Sequence, residues 1–320
     1  MKAKMGLLIH PEELDDMCVE VLPSLGVSVL GIHPVGGSQA HLSLARLLKQ
    51  VQDPDFHKRV ATLEAKGISV EFACHALTYL LPRDLFQKNP EWFRMSPEGN
   101  RLAESNCCAS NTEAFETISA ACAKLAADLP TRDHRYHLWL DDIFNGGCWC
   151  EPCRQMSHSD QALTIVHAML AGLKRTDPEA KLSFLAYHDT METPNIKPHP
   201  DVYLEYAPMA RDHHVPINAP HCEKNAGQFR PLASLLRTFG CKDATALDYW
   251  MDNSMFSGWK KPPRKLVPDL QVAAADVDVY RQMGMEYITT FACYLGEDYR
   301  ELWGDPPVRD FIAAISQPLS

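Results

Sequence analysis

Two adjacent carboxylates, Asp141 and Asp142, follow a mostly apolar run that begins at Tyr136. Such a run is typical of a buried strand in a parallel sheet, and polar residues at the carboxyl ends of barrel strands line active sites. Like charges this close raise the pKa of one member, so one acid can stay protonated while the other is ionised. The pair predicts acid-assisted cleavage of a C–O bond, with Asp142 as general acid and Asp141 orienting or charge-stabilising the substrate. Because successive strand residues point to opposite sides, the alternative is one structural and one functional aspartate.

The elements that must position these residues follow from alternating apolar runs and helical periods. Predicted strands cover 5–10, 27–33, 68–75, 136–142, 181–187, 202–206, 245–248 and 287–292. Predicted helices cover 12–22, 38–66 with a break near 53–54, 111–128, 159–175, 225–239, 268–283 and 310–315. This alternation predicts an α/β fold, a single (β/α)8 TIM barrel domain over residues 1–320, with a doubly wound open sheet as the alternative. The loops after the strands are longer than those before them, which indicates that the working face lies at the strand C-terminal ends.

Polar or aromatic side chains stand at nearly every predicted strand end. The further catalytic candidates are Glu205 and Asp248, and the substrate-binding candidates are His33, His75, Tyr187, Tyr206, Trp250 and Glu297. Aromatic planes suit the C–H faces of sugar rings, whose hydroxyls seek carboxylates and imidazoles. Taken singly, each candidate has a structural alternative, such as a core histidine, a helix-capping carboxylate or an aromatic packed at the rim.

A cluster of cysteines follows the fourth predicted strand. Cys148, Cys150 and Cys153 lie close together in sequence, and Cys107 or Cys108 of the preceding long loop can supply a fourth thiolate. The sequence predicts a structural zinc ion held by Cys108, Cys148, Cys150 and Cys153, since four thiolates leave no open position for a catalytic water. Free thiols and a local disulfide are the alternatives. No cofactor is expected for catalysis itself.

Composition narrows the choice of partners and compartment. The 320 residues carry a net charge of −10 without a Lys/Arg run, which argues against nucleic acid and anionic membranes. No apolar run approaches the roughly 20 residues of a membrane helix, and the first ten residues do not read as a signal peptide. Eleven cysteines without an export signal predict reduced thiols and a cytoplasmic location. The expected partner is a small carbohydrate, and a homo-oligomer is compatible with the sequence.

Three motifs resemble a known family. Residues 89–93 (NPEWF), 99–101 (GNR) and 106–111 (NCCASN) resemble the "HPEWF … G.R … LC.SNPEV" pattern of bacterial proteins with domain of unknown function 4838. The cysteine stretch and the following helix, with Ala186 and Tyr187 beyond it, are similar too, and Asn89 stands where a histidine is usual. The resemblance covers residues 75–190 and implies a glycoside-hydrolase-like TIM barrel related in style to glycoside hydrolase family 20.

A second, shorter resemblance joins residues 138–143 (LWLDDI) to the "LLFDDI" of strand four in glycoside hydrolase family 84. It implies that Asp141 orients a 2-acetamido group and that Asp142 is the acid/base. The sequence therefore predicts a glycosidase, substrate-assisted on a 2-acetamido sugar or else using Glu205 or Asp248 as nucleophile or base. One alternative is a metal-dependent hydrolase built on His33, His75 and Asp141, and another is a non-catalytic carbohydrate-binding barrel.

Overall fold

A computed structural model describes residues 3–316 of the chain. Their strands join in sequence order into a closed parallel barrel of eight strands. The strands are β1 Lys4–Ile9, β2 Val29–Ile32, β3 Ser69–His75, β4 Arg135–Trp139, β5 Lys181–Ala186, β6 Val202–Tyr206, β7 Thr245–Asp248 and β8 Tyr287–Phe291. Each observed strand falls inside the stretch predicted for it or begins one residue before that stretch. The predicted (β/α)8 barrel is therefore confirmed.

Helices separate consecutive strands except β5 and β6, between which only the 3-10 turn His188–Thr190 lies. The helices are α1 Asp16–Val21, α2 Ala40–Gln50, α3 Pro54–Ala65, α4 Leu77–Leu80, α5 Thr112–Asp128, α6 His158–Leu173, α7 Glu223–Phe229, α8 Leu232–Phe239, α9 Asn253–Phe256, α10 Leu270–Gln282, α11 Glu297–Trp303 and α12 Val308–Ser316. Asn111 caps α5 because its side chain accepts the Ala114 N–H, which satisfies one of the unpaired amides of the first turn. Among residues 3–316, no helix has the length and apolar character needed to cross a bilayer.

Two predicted helices are wrong in their extent, and proline is the reason in both. Residues 225–239 form α7 and α8 instead of one helix, since Pro231 has no N–H to donate and its ring clashes with the preceding turn. Within residues 12–22 the regular helix is only α1, which lies between 3-10 turns that contain Pro11 and Pro23.

The described residues pack as two compact units. The first unit comprises the described parts of Met1–His33, Asp53–Glu71 and Glu205–Ser320, and the second comprises Pro34–Gln52 and Phe72–Leu204. A single domain over residues 1–320 stays a prediction.

In the second unit, β4 pairs with β3 and β5, and all five of its residues are buried. The register places His75 beside Trp139 and Arg135 beside Lys181. Helices α5 and α6 pack closely, since a Cβ at Gly172 would lie 2.2 Å from the Ser119 carbonyl oxygen. A glycine is therefore required where these two helices meet.

In the first unit, β1 pairs with β2 and β8, and β7 pairs with β6 and β8. This unit holds a fully buried charge cluster, the Arg211 cluster, formed by Arg211, Asp248 and Asp276. Arg211 Nη2 lies 2.6 Å from Asp276 Oδ2 and 3.5 Å from Asp248 Oδ1. Burial raises the pKa of both carboxyl groups, and the Arg211 charge opposes that rise.

Candidate active site and cysteine cluster

Asp141 lies two residues beyond β4, and its carboxylate is saturated by hydrogen bonds from the protein. It accepts from the Thr78 N–H (2.9 Å), the Thr78 hydroxyl (2.8 Å), the Asn106 N–H (2.6 Å) and Arg83 Nη2 (2.9 Å). Its side chain is only 8% exposed. Arg83 also balances the negative charge of Asp141, so Asp141 and Asp142 are not two neighbouring unpaired charges. These contacts make Asp141 an anchor for the loop that follows β3.

Asp142 has different surroundings although it is the next residue. Its side chain is 31% exposed. The Tyr187 hydroxyl donates to Oδ1 at 3.2 Å, and His188 Nε2 lies 3.9 Å from the same oxygen. Oδ2 lies toward Gly36, where an added Cβ would be 3.5 Å away. The neighbouring carboxylates therefore contact separate loops, Asp141 the loop after β3 and Asp142 the loop after β5.

His75, at the end of β3, is fixed by its backbone partner. Its Nδ1 lies 2.6 Å from the Leu140 carbonyl oxygen, so Nδ1 carries a proton and donates it. The ring packs edge-on against Trp139 at 5.1 Å, and Trp139 Nε1 donates to Ser183 Oγ at 3.3 Å. The Gly36 backbone comes so close that a Cβ there would lie 3.0 Å from His75 Cδ2. His75 and Asp142 thus face the same glycine.

Three aromatic side chains form a stack beside Asp142, which we call the Phe144 stack. The His188 ring centroid lies 3.6 Å from that of Tyr187 and 3.8 Å from that of Phe144, which is 66% exposed. Burial lowers the pKa of His188, against the opposing charges of Asp142 and Asp189. His188 has φ of 47° and Asn106 has φ of 50°, a region that costs free energy for residues other than glycine. Such strain clusters at functional sites, and here both residues adjoin the aspartate pair.

A pocket opens beside these groups within the second unit. Its empty volume is about 710 Å³, counting the part open to solvent, and His75, Trp139, Asp141, Tyr187 and His188 are among the residues that line it. Asp142 is not in the lining itself but contacts both Tyr187 and His188.

The four predicted metal ligands lie together, also within the second unit. The sulphur atoms of Cys108, Cys148, Cys150 and Cys153 are all within 4.8 Å of one another, and all four residues are buried. Cys108 rather than Cys107 joins the three later cysteines. Cys107 lines the pocket instead.

The remaining predicted site residues lie in the first unit, and most are enclosed. Asp248 is fully buried in the Arg211 cluster and accepts the Tyr280 hydroxyl at 2.9 Å, and Glu205 is 1% exposed. Tyr206 donates to the Gln228 carbonyl oxygen, and Trp250 Nε1 donates to Asp276. His33 stacks on His10 at 5.9 Å, whereas Glu297 is exposed in the first turn of α11. Of the four predicted catalytic carboxylates, only Asp142 combines partial exposure with neighbours that line a pocket.

Sequence reasoning found Tyr187 beside Asp142 but missed Gly36 there and the residues that hold Asp141. Thr78, Arg83 and Gly36 stand in no motif, and only folding brings them near the aspartates. The sequence did point to Asn106, because this residue begins the family motif that contains Cys107 and Cys108. His188 directly follows Tyr187 at the end of β5, and its position alone suggested a role.

Glu13, just beyond β1 in the first unit, gives a prediction about pH. Burial raises the pKa of its carboxyl from 4.5 to about 7, although the His10 charge lowers it. The folded state therefore keeps a proton between pH 4.5 and 7 that the unfolded state loses, so the free energy of unfolding should fall by about 3 kcal/mol across this range. Urea unfolding at pH 5 and pH 7.5 measures the fall.

Glu13→Gln supplies the comparison for this pH dependence. Its amide cannot accept both N–H groups, from His10 and Leu295, that the carboxylate accepts, so the variant should be less stable at both pH values. The difference between the two pH values should nevertheless shrink, because the titrating group is gone. A variant with the wild-type pH dependence would show that another group is responsible.

Comparison with known proteins agrees with this fold. The chain is similar to a β-N-acetylhexosaminidase from Bacteroides fragilis (13% identity, 99% of this chain and 67% of that chain, TM-score 0.58). It is also similar to a mutant of the O-GlcNAc hydrolase from Thermobaculum terrenum (12% identity, 99% and 60%, TM-score 0.55). A third similar structure is a glycoside hydrolase family 5 enzyme from Prevotella bryantii (10% identity, 95% and 86%, TM-score 0.51). At these identities the likeness shows a glycoside-hydrolase-like fold and no more, and no curated protein matches the sequence.

The family resemblance carried by the motifs between residues 89 and 111 is confirmed by a family model. The model described as Domain of unknown function (DUF4838) matches residues 42–237, which is more than half of the chain. The matched stretch includes both aspartates beyond β4, the Phe144 stack and all four clustered cysteines. The protein therefore belongs to the DUF4838 family.

Proposed function

We propose that the protein is a glycoside hydrolase in which Asp142 is the general acid. The observation that carries the proposal is the contrast between the two aspartates, since Asp141 is saturated by protein donors and Asp142 is 31% exposed beside Tyr187. A general acid must reach the leaving-group oxygen, and a carboxyl group with an open side can do so. Asp141 then acts as a positioning residue that fixes the backbone at the end of β4.

The substrate that we propose is a glycoside of a 2-acetamido sugar. Two similar structures carry the names of enzymes that act on such sugars, and residues 138–143 resemble the strand-four motif of one such family. The acetamide oxygen would replace an enzymic nucleophile, a role that Asp248 cannot take because Arg211 and Tyr280 enclose it. The Phe144 stack offers an apolar face to the sugar ring. A cytoplasmic location and a homo-oligomer remain predictions.

The proposal is tested by hydrolysis of 4-nitrophenyl glycosides by the purified protein. We expect release of nitrophenol from the N-acetyl-β-glucosaminide and less from the β-glucoside, which has no acetamide. Equal rates on both would contradict substrate assistance. If the protein bound both sugars but hydrolysed neither, it would be a carbohydrate-binding barrel and not a hydrolase.

A metal-dependent hydrolase built on His33, His75 and Asp141 is less well supported. Both Asp141 oxygens already accept hydrogen bonds, from Thr78, Asn106 and Arg83, and Arg83 would repel a cation. His75 Nδ1 is engaged by the Leu140 carbonyl oxygen. If a divalent ion did drive catalysis, brief treatment with chelator would stop turnover while leaving the melting temperature unchanged.

Gly36→Ala tests whether the space between His75 and Asp142 matters for catalysis. The residue has φ of −78°, so alanine causes no backbone strain, but its methyl group would lie 3.0 Å from His75 and 3.5 Å from Asp142. We expect kcat/KM to fall by about tenfold, because small displacements of reacting groups are costly, and stability to change by less than about 1 kcal/mol. Steady-state kinetics and thermal melts measure both.

Gly227→Ala is the matched control. Gly227 lies in α7 with no atom within 4 Å of an added Cβ. This variant should keep full activity and gain roughly 0.5–1 kcal/mol, because alanine is favoured over glycine inside a helix. Unchanged kinetics in Gly36→Ala would show that the space beside Asp142 is not used by substrate.

A further inference from the structure

We propose that Cys108, Cys148, Cys150 and Cys153 bind one zinc ion as thiolates, and that this ion holds the loop after β3 against the loop after β4. Cys108 comes from the first loop and the other three cysteines from the second, so the site joins segments about 40 residues apart in sequence. The proposal concerns a structural site and is independent of the hydrolase proposal.

The sulphur positions fit a tetrahedral ion. With Zn–S bonds of about 2.3 Å, the edges of a regular tetrahedron of sulphur atoms are about 3.8 Å long. Cys108 Sγ lies 3.6 Å from Cys150 Sγ and 3.8 Å from Cys153 Sγ. All four sulphur atoms lie within 4.8 Å of one another, and no pair is bonded as a disulfide. An ion at the centre would therefore need only small movements of the four side chains.

The surroundings supply hydrogen bonds of the kind that stabilise bound thiolates. The Met95 N–H donates to Cys148 Sγ at 3.2 Å, and the Ser110 hydroxyl lies 3.2 Å from Cys108 Sγ and 3.6 Å from Cys150 Sγ. Gln161 of α6 holds the backbone of the cysteine loop, since it accepts the Cys148 N–H and donates to the Cys148 and Cys153 carbonyl oxygens. Such outer contacts orient ligands and limit solvent access.

Four thiolates exclude a catalytic role for this ion and favour zinc over harder cations. Thiolates select zinc or iron among common metals, whereas calcium, magnesium and manganese prefer oxygen ligands. With all four positions taken by sulphur, no site remains for a water molecule or a substrate. The ion would therefore stabilise the fold.

Asn106 links the two cysteine-bearing loops to Asp141. Asn106 stands two residues before Cys108, donates its N–H to Asp141 and accepts the Asp141 N–H on Oδ1 at 3.0 Å. Its amide also donates to the Gly146 carbonyl oxygen at 3.0 Å, two residues before Cys148. Loss of the ion would therefore loosen both loops on which the position of Asp142 depends.

The experiment is elemental analysis of the purified full-length protein, with stability as a second readout. We expect one zinc ion per chain, X-ray absorption with sulphur neighbours only at about 2.3 Å, and a lower melting temperature after removal of the ion with a thiol-modifying mercurial. Cobalt exchanged into the site should give the absorption of tetrahedral thiolate coordination. Metal-free protein in which all eleven thiols react after unfolding would overturn the proposal. Two or four fewer thiols in the unfolded protein, or iron in place of zinc, would overturn it too.

Paired variants separate metal binding from the loss of a buried thiol. Cys150→Ala removes a ligand, whereas Cys122→Ala removes a buried thiol of α5 outside the cluster. We expect zinc to be lost only in the first. Because Cys150→Ala can prevent folding, the zinc content and the cobalt spectrum of the wild-type protein decide the proposal by themselves. Zinc retained at full stoichiometry in a folded Cys150→Ala would overturn it.

Discussion

Asp142→Asn should lower kcat on aryl glycosides by about 10²–10⁴-fold, the usual contribution of a general acid. An amide cannot deliver a proton to the leaving oxygen, yet asparagine keeps the size of the side chain and can still accept the Tyr187 hydroxyl. Folding should therefore be preserved. Steady-state kinetics with aryl leaving groups of graded acidity measures the loss, which should be smallest for the most acidic phenols because these need least protonation.

The control for this variant is Asp16→Asn, which removes a carboxylate of α1 whose side chain is 91% exposed and which pairs with Arg59. It should keep the wild-type kcat. A fall of less than tenfold in Asp142→Asn would contradict the assignment of a general acid. An equal loss with every leaving group would instead identify Asp142 as a residue that positions the substrate.

Arg211→Leu should destabilise the protein by about 3–5 kcal/mol, the usual effect of breaking a buried ion pair by removing one partner. Both Asp248 and Asp276 are fully buried and lose the guanidinium that pairs with them, while leucine cannot donate a hydrogen bond to either. With the opposing charge removed, burial raises the pKa of both carboxyl groups further. The loss should therefore be larger at neutral pH than at pH 5, and urea unfolding at both pH values measures it.

Arg175→Leu is the matched control, because Arg175 pairs with Glu116 at the surface and both side chains are about half exposed or more. Exposed ion pairs contribute little, so the change should stay within about 1 kcal/mol. If Arg211→Leu were as stable as this control, the fold would tolerate the two buried aspartates in their protonated form without a cationic partner.

The strands could be predicted from sequence because each is a short apolar run between polar breaks, and parallel strands are buried on both faces. The N-cap at Asn111 and the break at Pro54 follow from local chemistry and are confirmed. Local chemistry also explains the error at Pro231, whose effect on a helix interior outweighs the apolar period on both sides.

The candidate site was less accessible to sequence reasoning. The aspartate pair stands out in the sequence, but the difference between Asp141 and Asp142 depends on Thr78, Arg83 and Asn106, which reach Asp141 from another loop. Neither spacing nor periodicity encodes such contacts. The enclosure of Asp248 has the same origin, since Arg211 and Tyr280 come from distant parts of the chain.

The Phe144 stack has a thermodynamic consequence for ligand binding. Phe144 leaves 66% of its surface in water while one face rests on His188. A ring laid on its open face would remove apolar surface from solvent, and removal of apolar surface lowers the heat capacity of the system. Titration calorimetry at several temperatures should therefore show an association enthalpy that becomes more negative on warming, with a slope that Phe144→Ala reduces.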